Sequence, residues 1–138
     1  MKTRNDAVRR HTRQGNLISR LAGLRITRTR WDMLIAWTTV AAREEAEQLA
    51  RTAVERRLAA CVQIDGPIVS HCIWQGRAER TEEFRLSFKF LPAQQAALEA
   101  WLLSHHPYET PEWLVVRAEG VGEKYLSWAL ANATSLPL

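Results

Sequence analysis

The chain has 138 residues, 46% of them hydrophobic and 25% charged, and a formal net charge of +4. This length suits one domain with a hydrophobic core and is too short for two. No apolar stretch reaches the roughly 20 residues of a membrane-spanning helix. Two cysteines are too few for a disulfide scaffold, and no apolar signal segment follows the basic N-terminus. We therefore expect a cytoplasmic protein with free thiols.

The charge is divided unevenly along the chain. Residues 1–30 contain nine basic side chains and one acid, a net charge of +8, whereas residues 31–138 contain ten basic and fourteen acidic side chains, a net charge of −4. The first segment has the composition of an organellar transit peptide, which would make the protein organellar, and equally that of a disordered basic arm. A third interpretation is that translation begins at Met33. Because the remainder is acidic, we do not expect nucleic-acid binding.

The predicted elements begin with Met33–Thr39, a short apolar run that ends in aromatic and β-branched residues and is typical of a buried strand. Small and apolar residues then recur at helical spacing over Ala42–Leu58, with charged residues between them, which predicts an amphipathic helix. Cys61–Asp65 is predicted as a second strand, closed by a turn at Gly66-Pro67.

Two more strands follow. Ile68–Gln75 is predicted as the third strand, and Gly76 closes it. Glu83–Phe90 alternates apolar and polar residues without interruption, which predicts a fourth strand with one face on a core.

The last third of the chain contains two helices and one strand. The first of these helices is predicted to begin at Pro92, because proline is favoured in a first helical turn, and to end near His105. Trp113–Ala118 is predicted as the fifth strand. The final helix carries Tyr125, Leu126, Trp128, Ala129 and Leu130, and an unstructured tail is predicted over residues 134–138.

The order β-α-β-β-β-α-β-α, in which the second to fourth strands can form one long hairpin, predicts an α+β fold. The predicted architecture is a ferredoxin-like split βαβ sandwich, with an antiparallel sheet and helices on one face. We assign this domain to residues 31–133, between a basic arm (1–30) and the tail. Such a sheet leaves its other face uncovered, and the chain has six tryptophans. Since tryptophan is enriched where subunits meet, we expect an oligomer that uses this open face.

Several short motifs follow one another along the predicted domain. They are Thr38-Thr39; the octapeptide Glu55–Val62; Ser70, Trp74 and Gly76; Glu82 or Glu83, and Lys89; His106-Pro107-Tyr108-Glu109 with Pro111 and Glu112; and Tyr125-Leu126 with Trp128. In this order and spacing the motifs resemble the CutA family of divalent-cation tolerance proteins, over residues 33–131.

The resemblance implies a tight homotrimer of ferredoxin-like subunits that takes part in the response to copper and other divalent ions. Some family members bind copper, and the trimer is similar to that of the PII signalling proteins, which hold small ligands between subunits. The chain departs from the family pattern at Cys72, where a tyrosine is usual, and at Phe90, where a threonine is usual. Roles that depend on those two hydroxyl groups are not carried over.

The predicted metal ligands are Cys61, His106, Glu109 and Cys72, for copper or another divalent ion. Thiolates suit Cu(I) and Zn(II), and carboxylates suit harder cations. For Cys61 the alternative is a small buried apolar side chain. For His106 it is a histidine favoured by the dipole at a helix end.

A second predicted site would bind a small anionic ligand between subunits. Its residues are Lys89, Tyr108, Trp74 and Glu112, and the alternative for Lys89 is a salt bridge. This site would make the protein a PII-like sensor, and a structural trimer scaffold is a further alternative. We assign no catalytic residue and no organic cofactor, since no phosphate-binding glycine loop, zinc-protease motif or nucleophile elbow occurs in the sequence.

Overall fold

A computed structural model of the protein describes residues 32–133. The predicted basic arm and the predicted tail lie outside these residues. The described chain runs through β1 (Leu34–Val40), α1 (Arg43–Glu55), β2 (Cys61–Trp74), β3 (Arg77–Phe90), a 3-10 turn (Pro92–Gln94), α2 (Gln95–His105), β4 (Leu114–Arg117) and α3 (Glu123–Ala133).

The four strands form one antiparallel sheet in the order β2-β3-β1-β4. β1 lies inside the sheet, where Trp37 is opposite Ser87 of β3 and Leu114 of β4. The connection through α1 passes over β3, and the connection through α2 passes over β1. This arrangement confirms the predicted α+β fold with a split βαβ sheet.

The core lies between the sheet and the helices α1 and α2. On β3, Leu86, Phe88 and Phe90 are fully buried, which confirms the predicted alternation. The buried helix residues that pack against them are Ala46, Leu49 and Ala53 of α1 and Leu98, Trp101 and Leu102 of α2. Burial of each large apolar side chain contributes about 1.5–3 kcal/mol to folding.

Helix α1 ends at Glu55, three residues before the predicted Leu58. Arg57 adopts a left-handed backbone conformation with φ of 57°. The N–H of Leu58 donates to the carbonyl of Ala53 at 2.9 Å, and the N–H of Arg57 donates to that of Val54 at 3.0 Å. These bonds form a Schellman motif, which ends the helix although the apolar spacing continues.

The second and third predicted strands are one strand, and the predicted turn at Gly66-Pro67 is wrong. The register shifts by one residue between Asp65 and Ile68, so the dipeptide forms a bulge within β2. Gly66 has φ of 149°, and a Cβ atom there would lie 2.6 Å from the ring of Phe84. The chain reverses instead at Gln75 and Gly76, both with positive φ, in the two-residue turn that suits a hairpin.

The face of the sheet opposite α1 and α2, called the open face below, carries large apolar side chains. Trp74 is 50% exposed, Leu114 54% and Val116 40%. The β2–β3 hairpin extends beyond β1, and every residue from 71 to 82 is exposed. No helix within residues 32–133 is long and apolar enough to cross a membrane.

Candidate functional site

A cavity of about 480 Å³ lies where the open face of the hairpin meets the segment that follows α2. Strand pairing forms one wall, because Ser70 lies opposite Thr81, and Cys72 lies opposite Glu79. Alternate residues of a strand share a face, so these side chains point to the same side. The complete lining is Thr39, Ser70, Cys72, Trp74, Glu79, Thr81, Glu83, Tyr108, Glu109, Thr110 and Glu112.

His106 holds the second wall, the segment 106–112, against the end of β1. Its Nε2 lies 3.0 Å from the hydroxyl oxygen of Thr38 and 3.0 Å from the carbonyl oxygen of Thr39. Its Nδ1 accepts a hydrogen bond of 3.0 Å from the backbone N–H of Tyr108. An accepting Nδ1 leaves the proton of the neutral ring on Nε2. Burial lowers the pKa of His106, which favours this neutral form.

The floor of the cavity contains a buried carboxylate. Glu83 is 9% exposed, and its Oε2 accepts a hydrogen bond of 2.9 Å from the hydroxyl of Tyr108. Burial, followed by this bond and by the charge of Glu83, raises the pKa of Tyr108. The hydroxyl therefore keeps its proton and remains a donor to Glu83.

Glu112 adds a second negative charge beside Glu83. Burial, followed by the charge of Glu83, raises the pKa of Glu112, and the charge of Arg85 acts in the opposite direction. The guanidinium of Arg85 is itself paired with Asp65, at 3.2 Å. The two carboxylates therefore repel each other, which an added cation would relieve.

The lining of the cavity is acidic as a whole. It contains the carboxylates of Glu79, Glu83, Glu109 and Glu112, and no Lys, Arg or His is among its described residues. The ion pairs found within residues 32–133 involve other acids, namely Asp32, Asp65 and Glu82. A cavity with this lining attracts cations and repels anions.

The structure brings together five of the eight predicted site residues. Of the predicted metal ligands, Cys72 and Glu109 line the cavity. Of the predicted anion-binding residues, Trp74, Tyr108 and Glu112 line it as well. The sequence prediction divided these five residues between two sites, and the structure places them around one cavity.

Three predicted site residues lie elsewhere. His106 is buried behind the wall, and both of its ring nitrogens are engaged in hydrogen bonds. Cys61 and Lys89 are opposite each other at the far end of the sheet, where Lys89 Nζ lies 5.6 Å from the ring centroid of Tyr125. Cys61 and Cys72 share one face of β2, but eleven residues of strand, roughly 36 Å, separate them.

Sequence reasoning did not assign Glu79 and Glu83 to a site. Both belong to β3, whose predicted start at Glu83 omitted residues 77–82 and with them Glu79. The signal was the spacing of Glu79, Thr81 and Glu83, since every second residue of a strand shares a face.

The described residues of a single chain do not form a complete metal site. No group of three or more His, Cys, Asp or Glu side chains in residues 32–133 is arranged to hold a metal ion. The donors of the cavity, one thiol and four carboxylates, nonetheless have the chemistry that divalent cations prefer.

A family model, a curated protein and solved structures all agree with the resemblance that the sequence motifs indicate. The family model described as "CutA1 divalent ion tolerance protein" matches residues 34–132. A curated "Divalent-cation tolerance protein CutA" of Yersinia pestis (strain Pestoides F) is 38% identical over 87 residues, which are 63% of this chain and 73% of that protein.

Solved structures of CutA from Synechococcus elongatus PCC7942 share the fold. One has a TM-score of 0.72 and 42% identity over 75% of this chain and 92% of its own. A second, described as complexed with a Bis-Tris molecule, has a TM-score of 0.67 and 40% identity over 73% of this chain and 93% of its own.

Proposed function

The chain belongs to the CutA1 divalent ion tolerance protein family, and from this premise we propose that it acts as a homotrimer that binds copper or another divalent metal ion. Binding and release of the ion, without bond chemistry, would be its part in the response to metal ions. We further propose a cytoplasmic location, where the two free thiols, Cys61 and Cys72, stay reduced.

The observation that carries the proposal is the acidic cavity on the open face. Four carboxylates and the thiol of Cys72 line one volume of about 480 Å³. Glu112 and Glu83 repel each other there, and the charge of a bound cation would offset that repulsion. The ion is the cargo of this site.

Within the cavity, Cys72 and Glu109 are the proposed metal ligands. A thiolate and a carboxylate from one chain leave the coordination of a divalent ion incomplete, since such ions take four or more ligands. The described residues of one chain also contain no group of three donors that could complete the coordination. We propose that a neighbouring subunit supplies the remaining donors, so that metal binding depends on the trimer.

The proposed trimer is supported by the apolar side chains of the open face. Trp74, Leu114 and Val116 are each at least 40% exposed in the single chain. Apolar patches of this kind mark surfaces that bind other proteins. The projecting hairpin carries Val69 and Ile73 on its other face, which are 48% and 73% exposed, and would contact a neighbour on that side too.

A copper titration tests the metal site. We would follow Cu²⁺ binding to the full chain by calorimetry and compare Cys72→Ser with Cys61→Ser, the matched removal of a thiol outside the cavity. We expect Cys72→Ser to weaken binding by at least tenfold, a loss of about 1.4 kcal/mol. Cys61→Ser should bind as the unmodified protein does.

Equal binding by both variants would contradict the proposed ligand Cys72. Loss of binding in Cys61→Ser alone would move the site to the far end of the sheet. His106→Ala would not separate the two sites, because His106 positions the wall of the cavity.

A second candidate function is the binding of a small organic ligand in the same cavity. The carboxylates favour a cationic ligand over the anionic one predicted from Lys89, which lies against Tyr125. A Synechococcus relative is described as complexed with Bis-Tris, an amine with hydroxyl groups. A native-state ligand raises the apparent stability of a protein. Thermal unfolding with Bis-Tris, compared in Glu109→Gln, therefore tests this function.

A further inference from the structure

A second cavity, called the helix groove below, lies between α1 and α2. Its volume is about 330 Å³, within the range of roughly 300–1,000 Å³ that small-molecule sites have. Glu45, Gln48, Thr52 and Arg56 line it from α1, at spacings of three and four residues that place them along one side of the helix. The groove is on the helix side of the sheet, whereas we assign the open face to neighbouring subunits.

The groove contains a buried hydrogen-bond donor without an acceptor. Trp101 of α2 lines the groove and is 8% exposed, and no atom within residues 32–133 accepts a hydrogen bond from its indole Nε1–H. The neighbouring His105 stacks on the indole, with ring centroids 5.4 Å apart, and does not supply the acceptor. A buried donor without a partner typically costs about 1–3 kcal/mol and is rare in folded proteins. An occupant that places a carbonyl oxygen against this nitrogen would remove that cost.

The groove also carries one acidic and one basic group that can bind an occupant. The carboxylate of Glu45 and the guanidinium of Arg56 form no ion pair with any residue between 32 and 133. Eleven residues of α1 and its C-cap separate them, which is about 16 Å along the helix. These two charges favour a ligand with an ammonium group at one end and a carboxylate at the other.

The distance between the charges sets the length of that ligand. An extended tripeptide spans about 10 Å. The side chains of Glu45 and Arg56 are long enough to cover the remaining few ångströms at either end. A single amino acid is too short to reach both charges.

A peptide backbone also matches the groups between the two ends. Its carbonyl oxygens can accept from Trp101 Nε1–H, and its N–H groups can donate to the side-chain oxygens of Gln48 and Thr52. Leu49 and Pro107 line the same groove and offer apolar contact to small side chains. The groove therefore suits a short peptide with small side chains and free ends.

We propose that the helix groove binds a peptide of about three residues, whose ammonium group pairs with Glu45, whose carboxylate pairs with Arg56, and whose backbone accepts the hydrogen bond of Trp101. This function goes beyond the proposed metal binding and does not depend on it, because the two sites share no residue.

An NMR titration of the full chain with trialanine tests the proposal. Labelling with ¹⁵N gives one indole N–H signal for each tryptophan, and Trp101→Phe identifies the signal of Trp101 while it keeps an aromatic ring. We expect trialanine to shift this signal saturably, with half of the shift reached below roughly 10 mM peptide. A groove that holds only water would leave the signal unchanged, which would overturn the proposal.

Variants of the two charged residues test how the ends of the peptide are held. Glu45→Gln and Arg56→Gln should each weaken trialanine binding by about fivefold, as expected for the loss of one solvent-exposed ion pair. Glu47→Gln and Arg51→Gln neutralise exposed charges of α1 outside the groove and are the matched controls. They should bind trialanine as the unmodified protein does. The melting temperatures of all four variants check that each is folded.

Blocked trialanine, acetylated at one end and amidated at the other, lacks both charges. We expect it to bind at least about tenfold more weakly than free trialanine, since two ion pairs are lost. Equal binding of the blocked and free peptides would overturn the proposal, and so would equal weakening in the groove variants and their controls. Failure of copper binding would leave these readouts unchanged.

Discussion

At the scale of single residues, His106 determines the geometry of the cavity without lining it. Its ring joins the end of β1 to the segment 106–112 through Thr39 and the backbone of Tyr108. Tyr108 in turn donates to Glu83 at the floor. Removal of the imidazole would leave a partly buried donor, the N–H of Tyr108, and a partly buried acceptor, the carbonyl of Thr39, without partners, which typically costs about 1–3 kcal/mol.

We expect His106→Ala to unfold more easily at pH 7 by about 1–3 kcal/mol, as measured by urea denaturation. Because the pKa of His106 is lower in the folded protein, the unfolded chain takes up a proton on this histidine at a higher pH than the folded protein does. The stability contributed by His106 is thus present above its ordinary pKa of 6.5 and is lost as the pH falls below that value. The difference between wild type and variant should therefore narrow from pH 7 to pH 5. Glu112 is present in both proteins, so its contribution to the pH dependence of stability cancels in this comparison. A constant difference would contradict the assignment of a neutral, buried His106.

At the scale of elements, the bulge in β2 sets which side chains face the cavity. The extra residue between Asp65 and Ile68 shifts the register. Without that shift Ser70 and Cys72 would turn to the opposite face, since a slip of one residue exchanges the two faces of a strand. Gly66 makes the bulge possible, because the ring of Phe84 occupies the place of a Cβ atom.

We expect Gly66→Ala to destabilise the fold by about 2–4 kcal/mol, through its positive φ and its contact with Phe84. Gly76→Ala is the matched control. Gly76 has a φ of 75° in the hairpin turn, and no neighbouring atom of residues 32–133 lies within 4 Å of the place its Cβ would take. This variant should therefore lose only about 1–2 kcal/mol. Urea denaturation of both variants measures the difference, and equal losses would show that Phe84 yields to the added methyl group.

At the scale of the whole molecule, the open face and helix α1 are two alternative surfaces for contact with another subunit. Leu114 is 54% exposed on the open face, whereas Val54 is 43% exposed on α1. If the open face is the subunit interface, a charge is tolerated on α1 and not on β4, because burial of an unpaired charge costs several kcal/mol.

We expect wild type to have a mass of three chains in solution by light scattering. Leu114→Asp should shift the mass towards a single chain of 15.8 kDa, and Val54→Asp should remain trimeric. Dissociation of Val54→Asp alone would place the interface on the helices, and a monomeric wild type would contradict the proposed trimer.

Local patterns in the sequence were sufficient for the fold class. The alternation over Glu83–Phe90 and the helical spacing over Ala42–Leu58 predicted most of the core. The burial of Leu86, Phe88, Phe90, Ala46, Leu49 and Ala53 confirms it, whereas Val54, on the predicted apolar face of the helix, is 43% exposed. Such patterns are reliable because each element must bury one face, and the period of the buried residues reveals the geometry of the chain.

The cavity depended on tertiary structure. Cys72 on the hairpin and Glu109 after α2 meet only because β3 pairs with both β1 and β2. Gly66-Pro67 was ambiguous, since the same residues that suit a turn also suit a bulge, and the neighbouring Phe84 decided between them. The chemistry of each side chain is local, but its partners are set by pairing and register across distant segments, which no single stretch of sequence contains.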